Sequence, residues 1–232
     1  MSIHYQVLGS GSPLIIIHGL FGTSDNLKAI AKGLASDFKV FLIDAPAHGD
    51  SSTVEPLSLP RMAEEVKTFA EELGLSSFSM LGHSLGGKIA MELALSNPGL
   101  VDKLIVADIA PVKYPRRHDS IISALKSVPL SNLKSRSEAD KILQNNIKEP
   151  GVRGFLLKSL ARDSDNSGWI WKFDLDSLAA NYENLVAANN EGEFEGEVLF
   201  IIGGASNYVL PEHKEQIVSR FPKVKPKIIQ GT

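Results

Sequence analysis

Residues 78–93 read FSMLGHSLGGKIAMEL, and this stretch decides the fold. Phe78 to Leu81 is an apolar run of strand length, while Leu85, Ile89 and Leu93 recur at the spacing of one helical face. Between them stand Gly82, Ser84 and Gly86, a G-x-S-x-G pattern at a strand-to-helix junction. The spacing has a mechanical reason. A turn sharp enough to lift a serine hydroxyl clear of a sheet holds that serine in a strained conformation and tolerates only small residues two positions away on either side. Such a hydroxyl sits at a helix N-terminus, where the next backbone N–H, that of Leu85, faces the place where an oxyanion forms.

Working outward, further strand-length runs alternate with helical periodicity, the α/β signature. Residues 3–8 alternate as an edge strand does. Leu14–Ile17, Lys39–Ile43, Phe78–Leu81, Lys103–Ala107, Val198–Ile202 and a last run near Lys227–Gln230 read as strands of a mostly parallel sheet covered by helices on both faces. Apolar stripes at Leu27, Ile30, Ala31 and Leu34, and at Met62, Val66, Phe69, Ala70 and Leu73 behind Ser58 and Pro60, read as helices. Between about Val112 and Gly196 the rhythm breaks: helical stretches are expected at 137–147, 151–161 and 175–186, with no convincing strand. This reads as a helical cap inserted before the penultimate strand, dividing the chain into core residues 1–111, cap 112–196 and core 197–232.

Composition narrows the function classes. The 232 residues carry 24 Lys and Arg against 27 Asp and Glu, a net charge of −3, with 43% hydrophobic residues and no cysteine. That is an ordinary globular composition, without thiolate chemistry, disulfides or a zinc ribbon. No dense basic tract supports nucleic-acid binding. The longest apolar run, Val198–Ile202, has five residues, against the roughly 18 of a spanning helix. Nothing at the N-terminus reads as a signal peptide, so a cytoplasmic location is expected.

In open parallel sheets ligands bind beyond the carboxyl ends of the strands. Polar and glycine residues collect there: His18 and Gly19 after one strand, Asp44 after the next, Gly82 to Gly87 after a third and Asp108 after a fourth. The second oxyanion donor is expected from the His18-Gly19-Leu20 loop, at the Leu20 N–H with Phe21 as the alternative. A rival reading takes Gly82 to Lys88 as G-x-x-x-x-G-K, the phosphate loop of a nucleotidase, with Asp108 near its magnesium. Ile89 weakens it, because that position needs a hydroxyl for the metal.

Taken together, HGLFGTSDN at 18–26, DAPAHGDSS at 44–52, LGHSLGGK at 81–88, DIAPVKY at 108–114 and FIIGGASNYV at 200–209 resemble the α/β-hydrolase superfamily, and within it the bacterial YbfF-type esterases. The second segment departs from the family pattern, with Pro46 and Ala47 where arginine and asparagine or glycine are frequent. The resemblance implies a carboxylic ester or acyl thioester substrate, acyl-CoA among the candidates, and neither a metal nor an organic cofactor. It implies Ser84 as nucleophile. The usual acid position, after the strand that follows the cap, reads Gly203 to Tyr208 without a carboxylate, so Asp108 is the expected acid, against a turn-capping role ahead of Pro111. Asp44 reads as structural.

The family's histidine follows the last strand, where this sequence stops. His4, His18, His48, His83, His118 and His213 are poor substitutes, so the histidine and a last helix are expected beyond Thr232, and the 232 residues alone are expected to be nearly inactive. A second reading keeps the fold but drops the chemistry, as a ligand-binding module. Lys113, Arg116 and Arg117 are candidates for an anionic substrate head, or else form a solvated basic turn.

Overall fold

The fold is described from a computed structural model, for residues 2–165 and 168–231. Seven strands form one sheet in the order β1-β3-β2-β4-β5-β8-β9. β1 (Tyr5–Leu8) is the expected edge strand and pairs antiparallel with β3 (Phe38–Ile43). β2 (Ser12–Ile17), β4 (Phe78–His83), β5 (Val101–Ala107), β8 (Glu197–Gly203) and β9 (Val224–Ile229) run parallel. Ile15, Ile16, Ile17, Leu42 and Ile43 have no or almost no exposed surface, as strands covered on both faces require.

Helices lie on both faces. α1 (Lys28–Leu34) places Ala31 and Leu34 against Leu14, Ile16 and Leu42. On the opposite face, α2 (Leu59–Glu72) and α3 (Leu85–Ser96) bury Met62, Val66, Ile89 and Leu93 in the main core with Ile15, Ile17 and Phe41. α2 begins where the sequence places it, with the Ser58 hydroxyl accepting from the Arg61 N–H and a proline in the first turn.

The segment between β5 and β8 carries α4 (Asp119–Lys126), α5 (Arg136–Leu143), α6 (Pro150–Lys158), α7 (Leu175–Ala180) and α8 (Tyr182–Leu185). It also holds a two-stranded hairpin, β6 (Leu160–Arg162) with β7 (Trp169–Trp171), which corrects the strand-free reading. At three residues each, these strands fall below the window in which alternation is visible. Trp171 stacks on Phe173 at 5.6 Å, and both are buried. α9 (Lys214–Arg220) follows β8. Among the described residues no helix is long and apolar enough to cross a membrane.

Candidate active site

Among the described residues, four other than glycine have positive φ: Phe21 (62°), Ala47 (64°), Ser84 (51°) and Asp108 (54°). Each follows one of the four neighbouring strands β2, β3, β4 and β5, so backbone strain is confined to one edge of the sheet. At Ser84 the strain is held by packing. A side chain on Gly82 would place its Cβ 2.2 Å from the Gly86 carbonyl oxygen, and one on Gly86 would lie 2.3 Å from that of Ile17. These two contacts explain the spacing around the serine. The Ser84 N–H donates to Ala107 O at 3.0 Å, tying the turn to β5.

The loop after β2 lies against this turn, since a Cβ on Gly19 would meet Ser84 Cβ at 3.2 Å. Two buried imidazoles hold it. His18 donates from Nδ1 to Gly19 O (2.8 Å) and accepts the Ala45 N–H at Nε2 (3.1 Å). His48 donates from Nδ1 to Pro46 O (3.0 Å) and accepts the Phe21 N–H at Nε2 (3.1 Å). Burial lowers the two imidazoles to about 4 and about 3, so both stay neutral. His48 thus takes the Phe21 N–H, while Leu20 lines the space beside Ser84. Asp44 is structural, as expected, accepting from the backbone N–H groups of Ser24 (2.6 Å) and Asp50 (3.1 Å).

On the other side stands Asp108. Its N–H donates to Ile201 O (2.8 Å), while its carboxylate accepts from Gly203 N–H (3.2 Å) and from the Ser206 hydroxyl (2.8 Å). It therefore binds the end of β8 instead of capping its own turn. The last residues of β9 are close by, with Gly204 N–H on Ile229 O at 2.8 Å.

Two cavities meet at Ser84, Leu20, His118 and Tyr208. One, a narrow cavity of about 40 Å³, runs under the helical segment and is lined by apolar groups including Leu85, Ile109, Leu185 and Val186. The other, of about 310 Å³, is bordered by Gly19, His83, Asp108 and Phe155. His118 borders both, but its ring nitrogens face tyrosine hydroxyls, Nδ1 that of Tyr182 (2.5 Å) and Nε2 that of Tyr208 (3.3 Å).

The basic turn is already engaged. Arg116 pairs with Asp119 (2.8 Å) and Glu183 (3.4 Å), and Lys113 with Glu183 (3.7 Å). Arg117 donates to the Asn207 side chain at 2.9 Å and lies over the rings of Tyr114 and Tyr208. Lys88, the lysine of the phosphate-loop reading, is 2% exposed and donates to two backbone carbonyls. Sequence reasoning passed over Ser206 because it sought a carboxylate at that position. Tyr208 and Tyr182 carried no signal beyond being aromatic.

Known proteins align with this geometry. Residues 12–135 match the family model described as alpha/beta hydrolase fold. The chain is 33% identical over 223 residues to Esterase YbfF of Escherichia coli, covering 96% of this chain and 85% of that protein. It is 34% identical over 237 residues to the sn-1-specific diacylglycerol lipase ABHD11 of Mus musculus, covering 97% and 76%. Among solved structures, one described as a marine microorganism esterase superposes with a TM-score of 0.95 at 37% identity, over 99% of this chain and 91% of that one. The strained serine between strand and helix, the imidazole-held loop beside it and these similarities together place the chain in the α/β-hydrolase family.

Proposed function

We propose that this chain is a serine hydrolase of carboxylic esters, and that the helical segment 112–196 is a cap over its acyl pocket. The observation that carries the reading is Ser84 at φ 51°, half-buried where two cavities meet. The esterase and lipase relatives support esters as the substrate class. Acyl thioesters are a second class that the same chemistry serves. The ion pairs that neutralise Arg116 and Lys113 make the basic turn a poor seat for the phosphates of an acyl-CoA.

In this mechanism Ser84 Oγ attacks the acyl carbonyl while an imidazole takes its proton, and the Leu20 and Leu85 N–H groups hold the oxyanion. The imidazole then protonates the departing alcohol, and water cleaves the acyl-enzyme by the same steps. Asp108 orients the imidazole and stabilises its charged form. Four of the six histidines are engaged elsewhere: His18 and His48 are committed to backbone, His118 to tyrosines, and the Leu210 N–H donates to His213 Nδ1. The base this reading needs is an imidazole beside the β8 turn that bonds Asp108, a turn that the end of β9 adjoins.

In this reading the acyl group enters the narrow apolar cavity under the cap, and the alcohol leaves through the wider one. The test is Ser84→Ala with p-nitrophenyl butyrate as substrate. A loss of turnover of about 10⁶-fold is expected, together with loss of fluorophosphonate labelling. Unchanged turnover overturns the assignment, and binding of ester without turnover in the unmodified protein favours the non-catalytic binding module.

A further inference from the structure

We propose that Lys88 is a positioning residue for this site: its buried side chain clasps both chain segments that carry the cap to the helix that begins at the nucleophile. The inference rests on the reading of Ser84 and the cap given above. Lys88 lies one turn after Ser84 on α3, with its N–H on Ser84 O at 3.0 Å. Its Nζ donates to Val112 O (2.6 Å), where the chain enters the cap, and to Ala187 O (2.5 Å), where it leaves. The ring of Tyr114, also on the entry segment, faces the same nitrogen at 5.3 Å. Three N–H groups thus meet two carbonyls and one π face, the full donor capacity of an ammonium.

The surroundings extend the clasp. The Asn189 amide donates to Lys88 O and to Glu92 Oε2, both at 2.8 Å, and the Asn190 N–H reaches Glu92 Oε2 at 3.1 Å. Tyr114 N–H on Val186 O (2.8 Å) and Asn189 N–H on Pro111 O (3.3 Å) join the two segments to each other. Glu92 of the same helix holds the charged form of Lys88, Arg220 of α9 opposes it, and burial pulls the ammonium down to about 7.

A lysine is an expensive filler for such a place. Burying an ammonium costs several kcal/mol before its partners return any of it, and an apolar side chain of similar volume is frequently as stable or more so. What an apolar chain cannot do is hold two carbonyls from opposite ends of an insertion at one point. Lys88 also borders the acyl cavity together with Ser84, Tyr114, Tyr182 and Val186. The segments it fixes are therefore walls of that cavity, and their distance from Ser84 sets its width.

The experiment compares Lys88→Met and Lys88→Gln with the unmodified enzyme by amide hydrogen exchange and by kcat and KM on p-nitrophenyl esters from acetate to octanoate. Exchange at Tyr114 and Asn189 is expected to rise about tenfold to a hundredfold in Lys88→Met, the scale of losing one or two charge-assisted hydrogen bonds. Lys88→Gln, which retains two donors on a shorter stem, should fall between. Amides of β2, β4 and β5 should stay within about twofold, and the preferred acyl length should shift while fluorophosphonate labelling of Ser84 persists. Unchanged exchange at both amides, or an unchanged acyl-length profile, overturns the clasp. Should Lys88→Met not fold, the Lys88→Gln exchange and chain-length data decide alone. Exchange does not depend on turnover, so failure of the nucleophile assignment, read from Ser84→Ala, remains distinct from failure of the clasp.

Discussion

On the β2–β3 flank of Ser84, His18 and His48 spend both ring nitrogens on backbone groups, whereas on the β5–β8 flank Asp108 is half-buried and held by one amide and one hydroxyl. Both flanks carry strained residues at positive φ. The first flank is fully committed and dry, and its imidazoles are too far below neutrality to exchange protons. It can supply fixed backbone donors and nothing that titrates near neutrality. The second places its carboxylate at the edge of a cleft shared with Ser84. The proposed mechanism asks for this difference, rigid donors for a developing oxyanion on one side and a carboxylate beside a moving proton on the other.

The comparison breaks most readily at Asp108. Asp108→Asn keeps the Gly203 contact but removes the charge, and kcat on p-nitrophenyl butyrate should fall about 10⁴-fold with KM little changed. A loss below tenfold would mean that Asp108 only ties β5 to β8. The committed flank is probed by acid. Above pH 6.5 His18 is neutral in both folded and unfolded chains. As pH falls, the unfolded imidazole takes up a proton that the folded one refuses until about pH 4. Stability measured by urea denaturation should therefore drop between pH 6.5 and 4, by about 3 kcal/mol from His18 alone. His18→Asn should be less stable at pH 8 yet lose less over that window, and an equal loss would place the acid sensitivity elsewhere.

Smaller effects sharpen the contrast. Ser206→Ala takes one of two donors from the Asp108 carboxylate, and kcat should fall about tenfold, the worth of a hydrogen bond to a charged group. Stability should change less than activity. In the helical segment between β5 and β8, Arg116→Ala removes a guanidinium already paired with Asp119 and Glu183. KM for a neutral ester and for an acyl-CoA should both stay within about twofold, because exposed ion pairs contribute little. A selective rise for acyl-CoA would restore the basic turn as a head-group site.

The fold was legible in short segments. Strand-length apolar runs from Leu14 to Ile202 fall on the observed strands, and G-x-S-x-G lands on the turn, because local backbone demands leave local marks: two glycines are forced by carbonyls 2.2 and 2.3 Å from where a Cβ would sit. The hairpin at 160–171 was not legible, since three-residue strands have no period to detect and their pairing depends on packing against Phe173. Nor was α4, whose eight residues the helical stripes passed over.

By itself the sequence determined the strands of the main sheet and the helices that cover it, the strained serine, the slightly acidic charge balance and the lack of thiols. Only the tertiary structure decided which polar residues meet. Ser206 joins Asp108 across 98 positions and Lys88 joins Ala187 across 99. Spacing along a chain encodes turns and faces, but such distant partners are chosen by how strands stack and where an insertion folds back. Lys88 shows the difference most clearly. In the sequence it completes a phosphate-loop pattern, and in the fold its nitrogen is bonded to two carbonyls, of Val112 and Ala187, that flank the helices α4 to α8.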